Sequence, residues 1–335
     1  MKYTKNEFEN KTILITGAAG FIGSNLAFYF QENCPKARVI AFDVFRTGER
    51  FGNGNLKSFG HFKNLIGFKG EIISGDITKK EDLSRLEIYD VDYIFHEAAI
   101  SDTTVLDQEI MIKTNVNAFV DLLEFAKRKN AKMIYASSGA TYGDTPSPQT
   151  IGVENPQNVY GFSKLTMDNI AREYTNRFGM RIVGLRYFNV YGRKEFFKEK
   201  TASMVLQLGL QILSGKPPRL FFNSDKILRD FVYIDDIVQA NVLSTNTNAS
   251  GIYNVGTSKP RSFQDIADIL QKEFETDYQT DYFANPHKAY QMHTEANIAS
   301  TCKELGYEPK FSLEEGIKNY ASEIRRVYES EVKNV

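Results

Sequence analysis

The sequence predicts an α/β protein with a doubly wound parallel sheet and a smaller α+β lobe, on three observations. Apolar, strand-like runs alternate with helical patterns as far as about residue 190. These runs are continuously apolar, as in strands that a parallel sheet buries on both faces. Beyond about residue 192 the alternation gives way to short strands and irregular segments, which is typical of an α+β arrangement.

The first half contains the predicted strands of the main sheet. Each is short and rich in Ile, Val, Phe or Tyr: Thr12–Thr16, Arg38–Asp43, Glu71–Gly75, Tyr93–His96, Lys132–Ser137 and Arg181–Phe188. Helices are predicted between them, where apolar residues recur at helical spacing: Ser24–Gln31, Thr114–Lys129 and Val159–Arg177. The stretch Gly48–Gly60, with four glycines and two asparagines, indicates a loop.

The second half predicts fewer and shorter elements. They are a helix at Thr201–Leu213, a strand at Arg219–Phe222, a run at Asp230–Ile234 that leads into a helix at Asp235–Leu243, and further elements at Gly251–Val255, Ser262–Phe274 and Leu313–Glu329. We therefore expect a main domain at 1–192, a second lobe at 193–335, and return of segments near 230–258 to the main sheet. Ligands of such proteins bind beyond the carboxyl ends of the strands, so the cleft between the lobes is the expected site.

Composition narrows the classes of partner. The 335 residues are 42% hydrophobic and 25% charged, and the net charge of −1 gives no reason to expect nucleic acid. No apolar run is long enough to span a bilayer and the first residues lack a signal-peptide pattern, so we expect no membrane partner and a cytoplasmic location. The two cysteines and four histidines lack metal-ligand spacing, so no metal is expected.

A glycine-rich turn follows the first strand. Gly17, Gly20 and Gly23 have the Gly-x-x-Gly-x-x-Gly spacing of a turn that cradles a dinucleotide pyrophosphate, with Phe21 and Ile22 at the start of the next helix. The three glycines would permit a tight turn, close approach to phosphate and close packing of helix on strand, respectively. A strand–helix turn without a ligand is the alternative. The motif favours a Rossmann-type, dinucleotide-binding domain over residues 1–192.

The ends of later strands supply further candidate cofactor contacts. Asp43 ends the second strand, where a carboxylate commonly receives the adenine-ribose hydroxyls, and Val44 follows it. Arg46 and Arg50 come next, and because guanidinium groups suit a 2′-phosphate we predict NADP, with NAD less favoured and solvated loop charges as the alternative. The remaining candidates are Asp76, Ile77, Glu97, Ala98, Ala99, Ser101 and Asn115, the last holding either a strand bulge or a cofactor hydroxyl.

A Tyr-x-x-x-Lys motif lies near the middle of the chain. Tyr160 and Lys164 stand at i and i+4, on one face of the predicted helix. A phenol with a pKa of about 10 is a poor base at neutral pH, but a lysine ammonium and a nicotinamide cation would both favour the phenolate. Ser138 would hydrogen-bond to the substrate hydroxyl or its carbonyl product. The alternative is a tyrosine packed in the core beside a solvated lysine. Together with the glycine turn, the Tyr-x-x-x-Lys motif indicates hydride-transfer chemistry.

With these residues assembled, the chain resembles the extended short-chain dehydrogenase/reductases, and among them the nucleotide-sugar epimerases. Ser137–Gly143 is similar to their Ser-Ser-x-x-x-Tyr-Gly segment, Arg186–Gly192 to their nicotinamide and substrate strand, which contains Val190, and Arg229–Asp236 to a later hallmark. The resemblance extends from about residue 11 to about residue 325.

Within that group the chain resembles the ADP-glycero-manno-heptose 6-epimerases of lipopolysaccharide core synthesis. The segments that carry this are Asn158–Lys164, Lys198 after the Tyr191-Gly192 turn, Ala202–Met204, Leu220-Phe221 with Arg229–Phe231, and Tyr290-Gln291. The resemblance implies NADP, a homo-oligomer (a homopentamer), and a second catalytic base at Lys198, which would also contact the cofactor. It also implies a nucleotide-sugar site lined by Asn189, Phe221, Arg229 and Tyr290.

The chain departs from this family at a few positions. Lys200 and Gln207, which we include among the candidate sugar contacts, stand where the family often has serine and histidine, while Arg193 and Gly139 replace a usual proline and alanine. The predicted reaction is epimerisation at C6 through a 6-keto sugar.

The alternatives are an epimerase or 4,6-dehydratase of another nucleotide-linked hexose, and a non-catalytic NADP-binding regulator. Dehydration is disfavoured because Gly139-Ala140-Thr141 lacks the acidic pair that such enzymes need. The complete set of Ser138, Tyr160 and Lys164 argues against a non-catalytic regulator.

Overall fold

The structure, a computed structural model, describes Tyr3 and residues 7–245, 250–285 and 291–333. Its strands are β1 (Thr12–Thr16), β2 (Arg38–Asp43), β3 (Glu71–Ser74), β4 (Tyr93–His96), β5 (Lys132–Ser138), β6 (Ile182–Tyr187), β7 (Asn189–Tyr191), β8 (Arg219–Phe221), β9 (Leu228–Arg229), β10 (Phe231–Tyr233), β11 (Gly251–Val255), β12 (Arg261–Ser262) and β13 (Asp281–Phe283). Its α-helices are α1 (Phe21–Asn33), α2 (Lys80–Ser84), α3 (Gln108–Met111), α4 (Ala118–Lys129), α5 (Val159–Phe178), α6 (Met204–Leu213), α7 (Ile234–Leu243), α8 (Phe263–Phe274), α9 (Ala299–Leu305) and α10 (Leu313–Val327).

The central sheet has seven parallel strands in the order β11-β6-β5-β4-β1-β2-β3. Both of its faces are covered: Ile13 and Ile15 of β1 pack into one apolar layer, and Leu14 packs into the other. The strands are therefore continuously apolar because successive side chains enter two different cores. The predicted doubly wound, Rossmann-type fold is confirmed.

The position of the site follows from the strand order. Strand β1 lies between β2 and β4, so the order of connection reverses there and a crevice opens at the carboxyl ends of these strands. Helix α1 packs with one apolar layer through Leu26 and Phe30, whereas α5 packs with the other through Met167 and Ala171. The two helices therefore approach the crevice from opposite faces of the sheet.

One predicted helix begins differently in the structure. In place of a regular helix from Thr114, the chain forms α3, a wider π-helical turn over Ile112–Asn117, and then α4. The amide of Asn115 is buried in this turn, where its Oδ1 accepts a hydrogen bond from the Ile100 backbone and its Nδ2 donates to Ile100 O and Ser163 Oγ. The turn satisfies these tertiary contacts at the expense of regular helical geometry.

The second half of the chain combines a helical layer with small sheets. Helices α6, α8 and α10 pack on one another. The small sheets are the strand pairs β7–β10, β8–β13 and β9–β12, of which β7, β9 and β10 contribute residues to the crevice. Strand β11 pairs with β6 at the edge of the central sheet, and α7 packs on α1. The division at residue 192 stays a prediction. Among the helices of the described residues, none combines the length and the apolar character needed to cross a membrane.

Candidate active site

A cavity of about 550 Å³ opens at the carboxyl ends of the central strands. Its walls come from the turn after β1, the ends of β2, β4 and β5, the start of α5, and the segment between β7 and α6. Most of the sequence-predicted site residues line it: Gly17, Gly20, Phe21, Ile22, Gly23, Asp43, Val44, Asp76, Ile77, Glu97, Ala98, Ala99, Ser101, Ser138, Tyr160, Lys164, Asn189, Val190, Lys198 and Arg229.

Other predicted site residues lie elsewhere or outside the described chain. Six of them do not line this cavity, as the described residues form it: Arg46, Arg50, Asn115, Lys200, Gln207 and Phe221. Tyr290 lies outside the described residues. Tertiary contacts occupy several of these side chains: the Phe221 ring packs against the Phe283 ring at 4.9 Å, and Gln207 donates to the Ala202 carbonyl at 2.6 Å. Lys200 is exposed.

The glycine turn has room for a phosphate group. Gly17 has φ +68°, and a Cβ there would lie 2.6 Å from the Ala98 nitrogen. A Cβ on Gly23 would lie 2.3 Å from Gly17 O, so the helix and the turn touch at this point. Gly20 caps α1 without a side-chain hydrogen bond, which leaves backbone N–H groups at the helix N-terminus for an anion. This cradle fits the pyrophosphate of a dinucleotide.

Asp43 closes β2 beside the glycine turn. Its Oδ2 accepts a hydrogen bond from Ala19 N and its Oδ1 one from Phe45 N, both at 2.9 Å. A Cβ on Gly60 would lie 2.1 Å from Oδ1, so only glycine leaves the carboxylate its space. Burial raises the pKa of Asp43, and these backbone donors oppose that shift. The carboxylate thereby ties the turn to the loop that follows β2.

The sequence led us to expect that Arg46 and Arg50 contact the cofactor, but neither residue lines the cavity. Arg50 Nη1 lies 3.1 Å from Glu199 Oε2 and donates to Gly54 O at 2.9 Å. Arg46 Nη1 lies 3.6 Å from Glu199 Oε1, and its Nη2 donates to the Phe197 carbonyl. Both guanidinium groups are engaged by the segment between β7 and α6, which sequence proximity gave no reason to expect.

Ser138, Tyr160 and Lys164 meet where β5 ends and α5 begins. Asn158 caps α5 by accepting a hydrogen bond from Gly161 N at 2.8 Å, and this places Tyr160 in the first turn. Ser138 lowers the pKa of the Tyr160 phenol, and its Oγ accepts a hydrogen bond from Ala140 N at 3.1 Å. Lys164 Nζ donates to Ala136 O at 2.7 Å and lies 5.9 Å from the centre of the Tyr160 ring.

Burial dominates the electrostatics of this group. It lowers the pKa of Lys164 to about 8 and raises the pKa of Tyr160, which the hydrogen bond with Ser138 lowers in part. From the sequence we expected a lysine ammonium and a nicotinamide cation together to favour the phenolate. In the protein alone the shift goes the other way, because burial disfavours the charged form of the phenol.

Glu97 directly follows β4 and lines the cavity together with Tyr160 and Lys164. Its Oε1 accepts a hydrogen bond from Tyr187 OH at 3.0 Å, and Asn241 Nδ2 donates to that hydroxyl oxygen at 2.8 Å. Oε2 is buried and has no hydrogen-bond partner among the described residues. Burial raises the pKa of Glu97 to about 7, opposed by Tyr187 and Lys164. A buried carboxylate oxygen is thus available at the cavity.

Lys198 reaches the cavity from a different side. It lies on a short helical segment, Phe196–Thr201, and its Nζ is 5.5 Å from the centre of the Phe21 ring at the start of α1. Burial lowers the pKa of Lys198, and Glu195 opposes this shift. Glu195 is itself fully buried and accepts hydrogen bonds from Gly192 N and Ser203 N, so it fixes both ends of the segment.

Sequence reasoning missed one wall of the cavity. Lys57, Ser58, Phe59 and Gly60 line it, although the sequence predicts only a loop there. The loop folds back because Arg46 N donates to Gly60 O and His61 N donates to Ala19 O. Other lining residues not predicted as contacts are Phe42, Gly75, Ile100, Thr103, Thr114, Ala136, Ser137, Tyr187, Phe188, Thr201, Ala202, Ser203, Met204, Phe231 and Phe263. The one sequence signal that could have identified such residues is their position within or beside a recognised motif, as with Phe188 in Arg186–Gly192.

Residues 13–256 match the model of the NAD dependent epimerase/dehydratase family. The chain belongs to this family. ADP-L-glycero-D-manno-heptose-6-epimerase from Helicobacter pylori is 52% identical, over 97% of this chain and 99% of that chain, with a TM-score of 0.89. The predicted resemblance to nucleotide-sugar epimerases is confirmed, and the protein is a nucleotide-sugar epimerase that uses a nicotinamide cofactor.

More distant structures share the whole fold. UDP-glucose 4-epimerase from Thermotoga maritima, solved with UDP-glucose, is 26% identical, covering 94% of this chain and 99% of that chain, with a TM-score of 0.84. UDP-glucuronic acid 4-epimerase from Bacillus cereus, solved with UDP-glucuronic acid and NAD, is 26% identical, covering 95% and 100%, with a TM-score of 0.81. The similar structures do not support the predicted preference for NADP, and the cofactor named in the Bacillus complex is NAD.

Proposed function

We propose that this enzyme inverts C6 of the heptose in ADP-glycero-manno-heptose, through a transient 6-keto sugar, for lipopolysaccharide core synthesis. The 52% identity to the Helicobacter pylori heptose epimerase supports the substrate. The observation that carries the proposal is the placement of two proton-transfer groups in one cavity. Tyr160 enters from the start of α5 and Lys198 lies beside the start of α1, and these helices pack on opposite faces of the sheet.

Inversion at an exocyclic carbon explains the need for two such groups. When C6 is oxidised, one group takes the proton of the hydroxyl; the keto sugar then turns about its exocyclic bond and places the oxygen on the other side. A second group must return a proton there. Tyr160 and Lys198 serve these two orientations, while Ser138, which lines the same cavity, steadies the oxygen.

The rest of the site binds the cofactor and sets its surroundings. A nicotinamide dinucleotide, when bound, supplies the hydride acceptor and donor. The turn from Gly17 to Gly23 would hold the pyrophosphate and Asp43 would meet the adenine ribose, while Lys164 and Glu97 line the same cavity as Tyr160. Lys198 must lose a proton to act as a base, and its lowered pKa brings this closer to neutral pH.

Whether the cofactor carries a 2′-phosphate is the finer question. Arg46 and Arg50 led to the prediction of NADP, whereas NAD is bound in the Bacillus cereus relative. Calorimetric titration of the apoprotein with both dinucleotides distinguishes them. Tighter binding of NADP than of NAD would confirm the prediction, and the reverse would replace it with NAD.

A turnover assay tests the reaction itself. We expect incubation with one ADP-heptose epimer to give a mixture of both C6 epimers by NMR, without net consumption of cofactor. UDP-glucose and UDP-glucuronic acid serve as competing substrates. Turnover of a UDP-sugar without turnover of ADP-heptose would overturn the proposed substrate in favour of another nucleotide-linked hexose. The homopentamer stays a prediction, which sedimentation velocity tests.

A further inference from the structure

One buried carboxylate joins the two ends of the segment that carries Lys198. Glu195 is fully buried, and its Oε1 accepts hydrogen bonds from Gly192 N at 3.0 Å and from Ser203 Oγ at 2.8 Å. Its Oε2 accepts a hydrogen bond from Ser203 N at 2.7 Å. Gly192 directly follows β7 and Ser203 caps α6, so Glu195 connects the end of a strand to the start of a helix.

Hydrogen bonds inside this closed segment then place Lys198. Lys198 N donates to Glu195 O at 2.9 Å, and Thr201 Oγ1 donates to Lys198 O at 2.8 Å. Lys194 and Glu199 have φ of +72° and +52°, a conformation that residues other than glycine adopt only where their surroundings support it. The hydrogen bonds of Glu195 supply such support, although Glu195 itself does not line the cavity that the described residues form.

Glu195 also places a negative charge near the Lys198 ammonium. Burial lowers the pKa of Lys198 and raises the pKa of Glu195, and the charge of each residue opposes the shift of the other. The other titratable side chains near Glu195 are Tyr191 of β7 and Tyr320 of α10, and burial keeps both phenols neutral by raising their pKa. The three hydrogen bonds to its side chain favour the ionised form of Glu195.

We propose that Glu195 is a positioning residue for Lys198, which closes the segment from Gly192 to Ser203 and holds a buried negative charge near the Lys198 ammonium. The proposal rests on the proposed function, in which Lys198 exchanges a proton with the sugar oxygen. A proton donor must keep its proton until the oxygen arrives. Burial alone favours loss of that proton, and the nearby carboxylate helps to retain it.

The pH at which Lys198 loses its proton tests the proposal in the apoprotein. Trace labelling of lysines with acetic anhydride, followed by peptide mass spectrometry across pH, gives this midpoint for Lys198. Glu195→Gln removes the charge, so we expect a lower midpoint and about three- to tenfold more labelling of Lys198 at pH 7, relative to exposed Lys216. A purely structural role predicts the opposite shift, because a loosened segment hydrates the ammonium and raises the midpoint.

Glu323→Gln is the matched control. Glu323 Oε1 accepts a hydrogen bond from Lys194 N at 2.8 Å, so this carboxylate also holds the segment, but its charge acts on Lys194. The Lys198 midpoint should stay in place in this variant. An unchanged or raised midpoint in Glu195→Gln, or an equal decrease in Glu323→Gln, would overturn the proposal.

A conservative variant separates charge from packing. Glu195→Asp keeps the charge and weakens the closure, so the Lys198 midpoint should stay near that of the wild type. If Glu195→Gln does not fold, Glu195→Asp decides alone, and a raised midpoint in it would overturn the proposal because packing would then govern Lys198.

Turnover distinguishes this proposal from the proposed function. Glu195→Gln should lower kcat, and in the Lys198→Met background it should change the residual turnover no further. If Lys198→Met were fully active, the two-base function would fall and the positioning role with it. A Lys198 midpoint that does not respond to Glu195→Gln would overturn the positioning role alone.

Discussion

Glu97, Tyr160 and Lys164 form a buried group at the cavity, where the charge of Glu97 influences the protonation of both Tyr160 and Lys164. Burial brings the pKa of Glu97 to about 7 and that of Lys164 to about 8. The negative charge of Glu97 raises the pKa of Tyr160, and Ser138 lowers it through a hydrogen bond. Proton transfer at this site is therefore sensitive to pH near neutrality, where small changes in surroundings alter the charges.

Replacement of Tyr160 by phenylalanine tests the first proton-transfer group. Tyr160→Phe removes the phenol oxygen and keeps the ring, which lies in a small apolar cluster with Ile100, Val105 and Met111. Turnover should fall about 10²- to 10⁴-fold, the usual contribution of a positioned acid or base, with dinucleotide affinity nearly unchanged. NMR of the epimer mixture and calorimetry measure the two effects. Near-normal turnover would remove Tyr160 from the mechanism.

Replacement of Lys198 by methionine separates a two-base epimerase from a simple dehydrogenase. In the proposed mechanism Tyr160 and Lys198 act on the keto sugar in its two opposite orientations, so we expect that neither can replace the other. Lys198→Met should nearly abolish epimerisation while the protein stays folded and binds dinucleotide. Lys216→Met, at an exposed position after α6, is the control and should be fully active. Interconversion of the epimers by Lys198→Met at the wild-type rate would end the two-base mechanism.

Glu97 predicts a pH dependence of stability. In the unfolded chain its carboxyl ionises from about pH 4.5, but in the folded protein only near pH 7. Between these values the unfolded state loses the proton first, so the folded state loses stability as pH rises; above pH 7 the loss is complete. Glu97→Gln should therefore show a smaller decrease in the free energy of unfolding between pH 4.5 and 7 than the wild type.

Urea denaturation across this pH range measures the effect of Glu97→Gln. Glu87→Gln is the comparison, because Arg128 lowers the pKa of Glu87 and any change in slope for it belongs below pH 4.5. Parallel wild-type and Glu97→Gln curves between pH 4.5 and 7 would contradict the raised pKa of Glu97.

At the scale of elements, the glycine turn between β1 and α1 is packed so closely that it leaves no space for a side chain at Gly23. A Cβ on Gly23 would lie 2.3 Å from Gly17 O and 2.9 Å from the Ala18 Cα, and both neighbours are backbone atoms that cannot rotate away. The strand–turn–helix unit must therefore widen to accept any side chain there. Because the same turn presents the N–H groups of α1, widening it also displaces the donors for pyrophosphate.

Gly23→Ala should accordingly weaken both dinucleotide binding and folding. We expect the free energy of unfolding to fall by about 1–3 kcal/mol, as for overpacked positions, and dinucleotide affinity to fall as well. Gly52→Ala is the control, because a Cβ there meets no atom within 4 Å. Calorimetry and urea denaturation report both quantities. A Gly23→Ala protein indistinguishable from Gly52→Ala would show that the turn is not so tightly packed.

At the scale of the whole molecule, a buried ion-pair network joins the central sheet to helix α5. Arg186 of β6 is fully buried and donates to Asp168 of α5 at 2.9 Å and to Glu154 at 2.6 Å. Tyr135 of β5 donates to the other oxygen of Asp168 at 2.7 Å. Arg186 and Asp168 together thus join two strands, the helix that carries Tyr160 and Lys164, and the chain before that helix.

Asp168→Asn should be strongly destabilising, because it removes one of the two carboxylates that pair with buried Arg186. We expect a loss of about 3–5 kcal/mol in the free energy of unfolding, the usual cost of removing one partner of a buried ion pair. The control, Asp281→Asn, breaks an exposed pair with Arg219 whose side chains are 60% and 53% exposed, and should cost about 0–1 kcal/mol. Equal losses in the two variants would rule out a stabilising role for the buried network.

Much of the fold was predictable because its signals are local. The bounds of β1, β2, β4 and β11 coincide with the predicted runs, since a strand buried on both faces is marked by its own apolar residues. The helix predicted from Thr114 was wrong in its first turns. There Asn115 bonds to Ile100 and Ser163, and the need to satisfy a buried amide overrides local helical preference.

The sequence by itself determined the doubly wound sheet, the glycine turn and the neighbouring positions of Tyr160 and Lys164, because each depends on spacing within one strand, turn or helix. Only the tertiary structure determined which charged side chains form ion pairs. Arg50 and Glu199 are 149 positions apart in the chain, and their pairing required the loop after β2 to fold against the segment before α6. Burial likewise moved the pKa values of Glu97 and Lys164, because desolvation depends on the packing of distant elements around a side chain.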